Sequence, residues 1–228
     1  MGGALTILAW FDPQAFALVV GGSLLVGCLR ATRSEIAGAF AAFGPLLRAN
    51  PEADADAARR AVSRAHAIAE TKSIVCVDRI ATTGRFLAEA VRRLSDARSS
   101  VEFAIWADEA LDARRRRHAG VAAFWRAIAD TAPAMGMIAT VLGLISMFRQ
   151  MEDASKIGAP MASALVATLL GLVVSNIFAG PIADRLERLS AAELAWQERT
   201  FAHFKTIARA ELDQAIGLQR SLARSLAR

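Results

Sequence analysis

The side chains best placed for chemistry lie in two uncharged stretches of the 228-residue chain, 131–148 and 161–181. Thr140 follows Gly136 by four residues and precedes Gly143 by three; Thr168 follows Ala164 by four and precedes Gly171 by three, with Ser175 four further on. At helical spacing each set falls on one face. A threonine hydroxyl both donates and accepts hydrogen bonds, so it can help to coordinate a cation or pass a proton along, but it holds no charge of its own at neutral pH. Two readings fit these faces. One is a polar lining for an ion path; the other is helix packing, in which small residues let backbones approach and the hydroxyls bond back to their own carbonyls. Pro133 and Pro181 stand at the ends of the two stretches, where a missing N–H and a ring clash loosen a helix, so they act either as hinges or as boundaries. Neither stretch contains Asp, Glu, His, Lys or Arg, and residues 14–29 also lack them. A proton relay through lipid needs an ionisable group. If this chain moves protons, the titrating carboxylate comes from another polypeptide.

The elements that position these residues follow from hydropathy. Each stretch is long enough for one bilayer crossing, and the short segment 149–160 joins them as a hairpin. A further crossing is expected from 14 onward, where Asp12-Pro13 supplies an N-cap and a proline at the first helical position. Gly21, Gly22 and Gly27 would let another helix approach it closely. Trp10 and Phe11 suit the outer interface.

Apolar residues make up 54% and charged residues 21% of the chain, and mean hydropathy is +0.34, so the two kinds must be segregated along it. Of the 27 Lys and Arg, 17 lie between residues 30 and 128, eight follow 183, two lie between 149 and 160 and none precedes 30. That asymmetry predicts residues 32–129 and the tail on the cytoplasmic side, with the N-terminus and the hairpin loop outside. Anionic lipid headgroups account for the run Arg114–Arg117, and the lack of interleaved aromatics speaks against nucleic acid. Cys28 and Cys76 form no CxxC pair. No metal-ligand set, nucleophile–base pair or phosphate loop is present, so neither a metal, a cofactor nor an enzymatic activity is expected.

The fold class predicted is an all-α integral membrane protein with three transmembrane helices, a helical cytoplasmic insert and a C-terminal helix. Its parts are an outer segment 1–13, a first membrane helix 14–31, a cytoplasmic helical region 32–129, a transmembrane hairpin 130–183 and a cytoplasmic C-terminal helix 184–228. Within the insert, breaks are expected at Gly44-Pro45 and Asn50-Pro51, packing at an apolar run Ile74–Ile80, and an amphipathic helix over Ser95–Leu111. The tail spaces Leu186, Leu189, Leu194, Phe201, Phe204, Ile207, Leu212 and Ile216 among charges, as a long amphipathic helix does.

The segments RHAGVAAFWRAIADTAPAMGMIATVLGL (117–144) and IGAPMASALVATLLGLVVSNIFAGPIADRL (157–186) resemble the MotA/PomA flagellar stator subunit, within the wider MotA/TolQ/ExbB proton channel family. GGALTILAWFDPQAFALVVGGSLLV resembles that family's outer loop and second membrane helix. The resemblance implies that Thr140 and Thr168 belong to the ion path, that Pro133 and Pro181 couple ion flow to movement, and that Gly136, Gly143, Ala164, Gly171 and Ser175 contact a partner helix. It further implies a homopentamer in the bacterial inner membrane around MotB-like or ExbD-like single-span partners, whose membrane Asp carries the transported H+ or Na+. Glu70 and Asp78 align with the Arg and Glu through which such subunits act on a flagellar rotor, with Lys72 nearby, so the first of the two charges is inverted here. The family's first membrane helix would end before Met1-Gly2-Gly3. Either the start codon lies further upstream or the chain has the three-span ExbB/TolQ topology. The alternatives to a stator are an ExbB/TolQ-like subunit that energises envelope transport or integrity, and a non-conducting membrane scaffold.

Overall fold

The computed structural model describes residues 12–48, 51–71, 84–152 and 157–226. Trp10, Phe11, Lys72, the run Ile74–Ile80 with Cys76, and Asp78 lie outside them. The described residues are helical, without a strand. In chain order the helices are α1 (Pro13–Arg30), α2 (Arg33–Ala41), α3 (Phe43–Arg48), α4 (Pro51–Thr71), α5 (Arg85–Asp96), α6 (Ser100–Arg149), α7 (Gly158–Val173) and α8 (Gly180–Leu226). A π-helical turn, Ala17–Gly21, interrupts α1, and another, Val174–Ala179, joins α7 to α8 without a break. Three stretches are long and apolar enough to cross a membrane: Pro13–Arg30, part of Ser100–Arg149, and part of the continuous Gly158–Asp213.

The helix starts have identifiable causes. The Asp12 carboxylate accepts from the backbone N–H of Gln14 and Ala15 at 2.9 and 3.2 Å, with Pro13 next to it, as the sequence leads one to expect. Thr32 and Glu35 cap α2 reciprocally, a Thr-x-x-Glu signature that hydropathy alone does not flag. Ser99 accepts from the Glu102 N–H while Glu102 accepts from Arg98, which starts α6. The amphipathic segment Ser95–Leu111 is therefore two helices: α5 ends at Asp96, Ala97 is extended, and α6 begins at Ser100. The break expected at Gly44-Pro45 falls earlier, at Ala42, because Pro45 fits the first turn of α3, where its missing N–H has no helical partner to lose.

The chain divides into two units, and α6 and α8 each contribute to both. The first holds residues up to Leu47 together with Arg117–Arg188. In it α1 lies close against α6: a methyl added to Gly22 would stand 2.9 Å from the Met135 sulfur, and one on Gly27 would stand 3.0 Å from Ile128. Gly21 faces open space instead. Ala39, Phe124, Ile128, Ala129 and Ala179 form a buried cluster where α2, α6 and the second π turn meet. The Arg126 guanidinium reaches Asp184 at 2.6 Å and Glu187 at 3.0 Å, and Arg185 donates to the Leu46 carbonyl at 2.9 Å. The hydrogen bonds to Glu187 and Asp184 raise the Arg126 pKa, so it stays charged.

The second unit holds Arg48–Arg116 and the chain from Leu189 onward. Its core is built from Val91 and Leu94 of α5, Phe103, Ala107 and Leu111 of α6, and Phe201, Phe204, Ile207 and Ala208 of α8. The apolar spacing read along the tail thus serves a core, with Phe201, Phe204 and Ile207 buried. Two members of the run Arg114–Arg117 are engaged within the unit: Arg114 stacks over Phe86 at 4.8 Å and bonds Glu193, and Arg115 pairs with Asp112 and Glu198. Arg116 and Arg117 are exposed.

Candidate ion path in the helical hairpin

Helices α6 and α7 approach so closely that backbone meets backbone. A methyl added to Gly171 would lie 2.7 Å from the Ala132 carbonyl oxygen and 3.3 Å from Pro133 Cα. One on Gly136 would lie 3.0 Å from the Ala167 carbonyl, and one on Gly143 would lie 2.8 Å from Ala164 Cβ. Gly136, Gly143, Ala164 and Gly171 therefore make their close contacts within this chain, each fitting the backbone or a small side chain of the facing span. Small residues at these steps are what permits such contact.

The close approach brings the two threonines together. Thr140 and Thr168 hydrogen-bond each other through their hydroxyls. Thr140 Oγ1 also donates to the Gly136 carbonyl at 2.9 Å and lies 3.2 Å from the Ala164 carbonyl, and Thr168 Oγ1 lies 3.3 Å from that same carbonyl. Four oxygens, two from hydroxyls and two from carbonyls, share one half-buried point between two spans with no charged side chain. Two hydroxyl protons cannot occupy all the lone pairs these oxygens present. The cluster keeps acceptor capacity that can be offered to a proton carrier or a hydrated cation, yet it has no group that can store a proton. The hydroxyls bond back to their own helices, as the packing reading expects, and also meet each other in one shared oxygen cluster.

Neither proline ends a helix. Pro133 lies inside α6, two residues after Thr131, whose hydroxyl donates to the Ala127 carbonyl at 2.7 Å. Pro181 is the second residue of α8, directly after the π turn. That turn sends the Gly180 N–H to the Ser175 carbonyl, five residues back, and a methyl on Gly180 would stand 2.8 Å from that oxygen. Only glycine fits there without displacing backbone. Ser175 itself is half-buried. Glu70 lies in the last turn of α4, and its predicted companions Lys72 and Asp78 lie outside the described residues.

At the Asp12 end of the hairpin a cleft of about 700 Å³ is lined by Asp12, Gln14, Ser146, Gln150, Ser163 and Gly143, among others. A hydrogen bond from Ser163, together with those from the Ala15 and Gln14 backbone, holds the Asp12 carboxyl below its ordinary range against the opposing effect of burial. Its ionised form therefore stabilises the fold at neutral pH, and that contribution is lost as pH falls through the depressed value. Asp12→Ala is expected to cost about 1 kcal/mol at pH 7, the usual worth of an N-cap. The difference from the parent protein should shrink steadily below the ordinary carboxylate range. Thermal unfolding in detergent at pH 7 and pH 3 measures both; a difference that does not shrink with acid contradicts this role.

Spacing along each helix identifies Thr140 and Thr168 separately, but nothing in the sequence states that they touch. The Asp12–Ser163 contact and the Arg126 fork have no local signature either, since each joins residues far apart in the chain. Two closely packed apolar spans that share an uncharged oxygen cluster make this a helical membrane protein. The chain belongs to the MotA/TolQ/ExbB proton channel family, whose model matches residues 79–198.

Among curated relatives, it is 33% identical over 189 residues to the chemotaxis protein PomA of Vibrio alginolyticus, covering 82% of this chain and 72% of that one. It is 31% identical over 144 residues to motility protein A of Cereibacter sphaeroides, covering 63% and 57%. Among solved structures, it resembles the C. jejuni MotAB structure with a TM-score of 0.75 at 18% identity, covering 89% of this chain and 80% of that one. The flagellar MotAB stator complex from Bacillus subtilis gives 0.71 at 20%, covering 92% and 84%. The structural likeness concerns the fold.

Proposed function

We propose that this chain is the channel-forming subunit of an ion-driven stator of the MotA/PomA type, converting proton or sodium flow into mechanical work. The observation that carries this reading is the Thr140–Thr168 hydroxyl pair, joined across the hairpin in spans that contain no ionisable side chain. Such a site passes an ion but cannot hold a proton, so a MotB-like or ExbD-like single-span partner brings the membrane carboxyl that does. The partner helix runs along the hairpin shaped by Gly136, Gly143, Ala164, Gly171 and Ser175, with its carboxyl within reach of the hydroxyls. Five copies of the chain surround the partner helices in the bacterial inner membrane, with the second unit on the cytoplasmic side as the distribution of Lys and Arg favours. Pro133 and Pro181 remove backbone bonds beside the tight contacts, which lets the hairpin bend when the partner's charge changes. The load is a flagellar rotor, met through the region of Glu70, Lys72 and Asp78. A subunit that energises the envelope in the ExbB/TolQ manner is the second reading, which the family match over residues 79–198 also admits.

The test is ion uptake by membranes holding this chain and its single-span partner. Thr168→Val keeps the volume but removes the hydroxyl and is expected to lower uptake at least tenfold; Thr168→Ser is expected to restore most of it. Pro133→Leu should leave the partner bound while uncoupling flux from rotation. Uptake in Thr168→Val equal to that of the parent would remove the hydroxyl pair from the path.

A further inference from the structure

In the second unit a groove of about 580 Å³ opens between the first half of α4 and the middle of α8. Its floor is apolar: Ala58 and Ile207 are buried, and Ala55, Val62 and Trp196 are half-buried beside them. Arg199 and His203 line its α8 side, four residues apart and so on one helix face. Both are exposed, and neither makes a hydrogen bond or ion pair among the described residues. On the α4 side Arg59 pairs with Asp56. Glu211 also lines the groove, but it follows His203 by eight residues, roughly 12 Å at the helical rise. Thr200 and Thr206 donate to the Trp196 and Ala202 carbonyls of their own helix at 2.8 and 3.1 Å. Recognition of a polar head in the groove therefore falls chiefly to Arg199 and His203.

The volume and lining are those of a small-molecule site, which runs to about 300–1,000 Å³ with apolar walls and a few placed polar groups. A partner helix is about 10–12 Å across and would need a longer trough than Ala55–Ser63 of α4 provides, roughly 12 Å. The charges decide the head group. A planar guanidinium with no internal partner matches a carboxylate in geometry and sign, and the imidazole one turn further on adds a donor. A cation would meet the same two side chains unfavourably. The Trp196 ring, held edge-on to Phe86 at 5.5 Å, gives the groove a fixed wall on which an aromatic body packs.

We propose that this groove binds a small aromatic carboxylate. The aromatic body seats on Ala58, Val62 and Trp196, and the carboxylate is held by Arg199 and His203. The site lies in the second unit, outside the spans, and does not rest on the stator reading. A ligand there touches α4 and α8 together, so its occupancy stabilises the unit by mass action.

The experiment titrates the full chain in detergent with 1-naphthylacetate and, separately, with its uncharged analogue 1-naphthylmethanol. Calorimetry measures binding, with the heat of micelles alone subtracted. The carboxylate is expected to bind with a dissociation constant of about 1 mM or below, the level that ligand efficiency sets for a molecule of this size. Arg199→Gln should weaken it about threefold to tenfold, and the alcohol should bind the parent more weakly by a similar factor. Arg199→Lys, which keeps the charge, should retain more affinity than Arg199→Gln. Ala210→Trp fills the groove from an exposed position and should abolish binding without lowering the unfolding midpoint. No binding by the parent at about five times the expected constant would overturn the proposal. Equal affinity for acid and alcohol, or for parent and Arg199→Gln, would overturn it as well. A change in the size of the chain's own assembly with Ala210→Trp would mean that a second copy fills the groove, which also overturns it.

Discussion

Gly171→Val is expected to abolish ion uptake and to destabilise the hairpin more than any other single change in the spans. The reason is geometric. Even the first carbon of a side chain at this position would lie 2.7 Å from the Ala132 carbonyl oxygen and 3.3 Å from Pro133 Cα, and both are backbone atoms that cannot swing aside. The helices must separate, and overpacking of this kind costs about 1–3 kcal/mol or more. Separation also pulls Thr168 away from Thr140, so the oxygen cluster is lost along with the contact. Unfolding in mixed detergent measures the first effect and flux the second. A double-mutant cycle with Thr140→Val distinguishes this account from general damage: once Gly171→Val has parted the helices, removing the Thr140 hydroxyl should add little. Fully additive losses would mean that the two sites are not linked through the hairpin.

Phe204→Ala is the change with the largest expected effect outside the membrane spans. Phe204 is fully buried in the core of the second unit, among residues of α5, α6 and α8 that include Leu94, Phe103 and Phe201. Truncating a buried phenylalanine removes its transfer energy and leaves a cavity, together worth about 3–5 kcal/mol. For a helical unit of modest size that is a large share of total stability. Denaturant unfolding followed by the fluorescence of Trp106 or Trp196 should show the midpoint falling sharply. A loss below about 1 kcal/mol would be too small for a side chain at the centre of this core. Phe204→Leu keeps most of the volume and should lose far less.

Much of the fold was legible because it depends on local properties. The uncharged stretches, the Asp12-Pro13 start and the apolar spacing of Phe201, Phe204 and Ile207 are read from neighbouring residues, and each corresponds to an element of the structure. The misplaced boundaries have an equally local cause. Apolar periodicity carries on through Ala97, whereas the Ser99–Glu102 cap that restarts the helix is a hydrogen-bonding signal that periodicity does not register. Likewise Gly44-Pro45 has the composition of a break, although a proline in the first turn of a helix is compatible with it.

That the spans carry no group able to hold a proton follows from residue type alone, because charge needs no coordinates. Residue order likewise puts glycines and threonines on shared helical faces, because the helical repeat is fixed by backbone sterics. Where those faces point is a matter of packing between helices. Thr140 and Thr168 are 28 residues apart on different helices, and whether their hydroxyls meet depends on the rotation of each helix about its axis. That rotation is set by the packing of Gly136, Gly143 and Gly171 against the facing span, so the same glycines that suggest an outward contact turn the threonines toward each other.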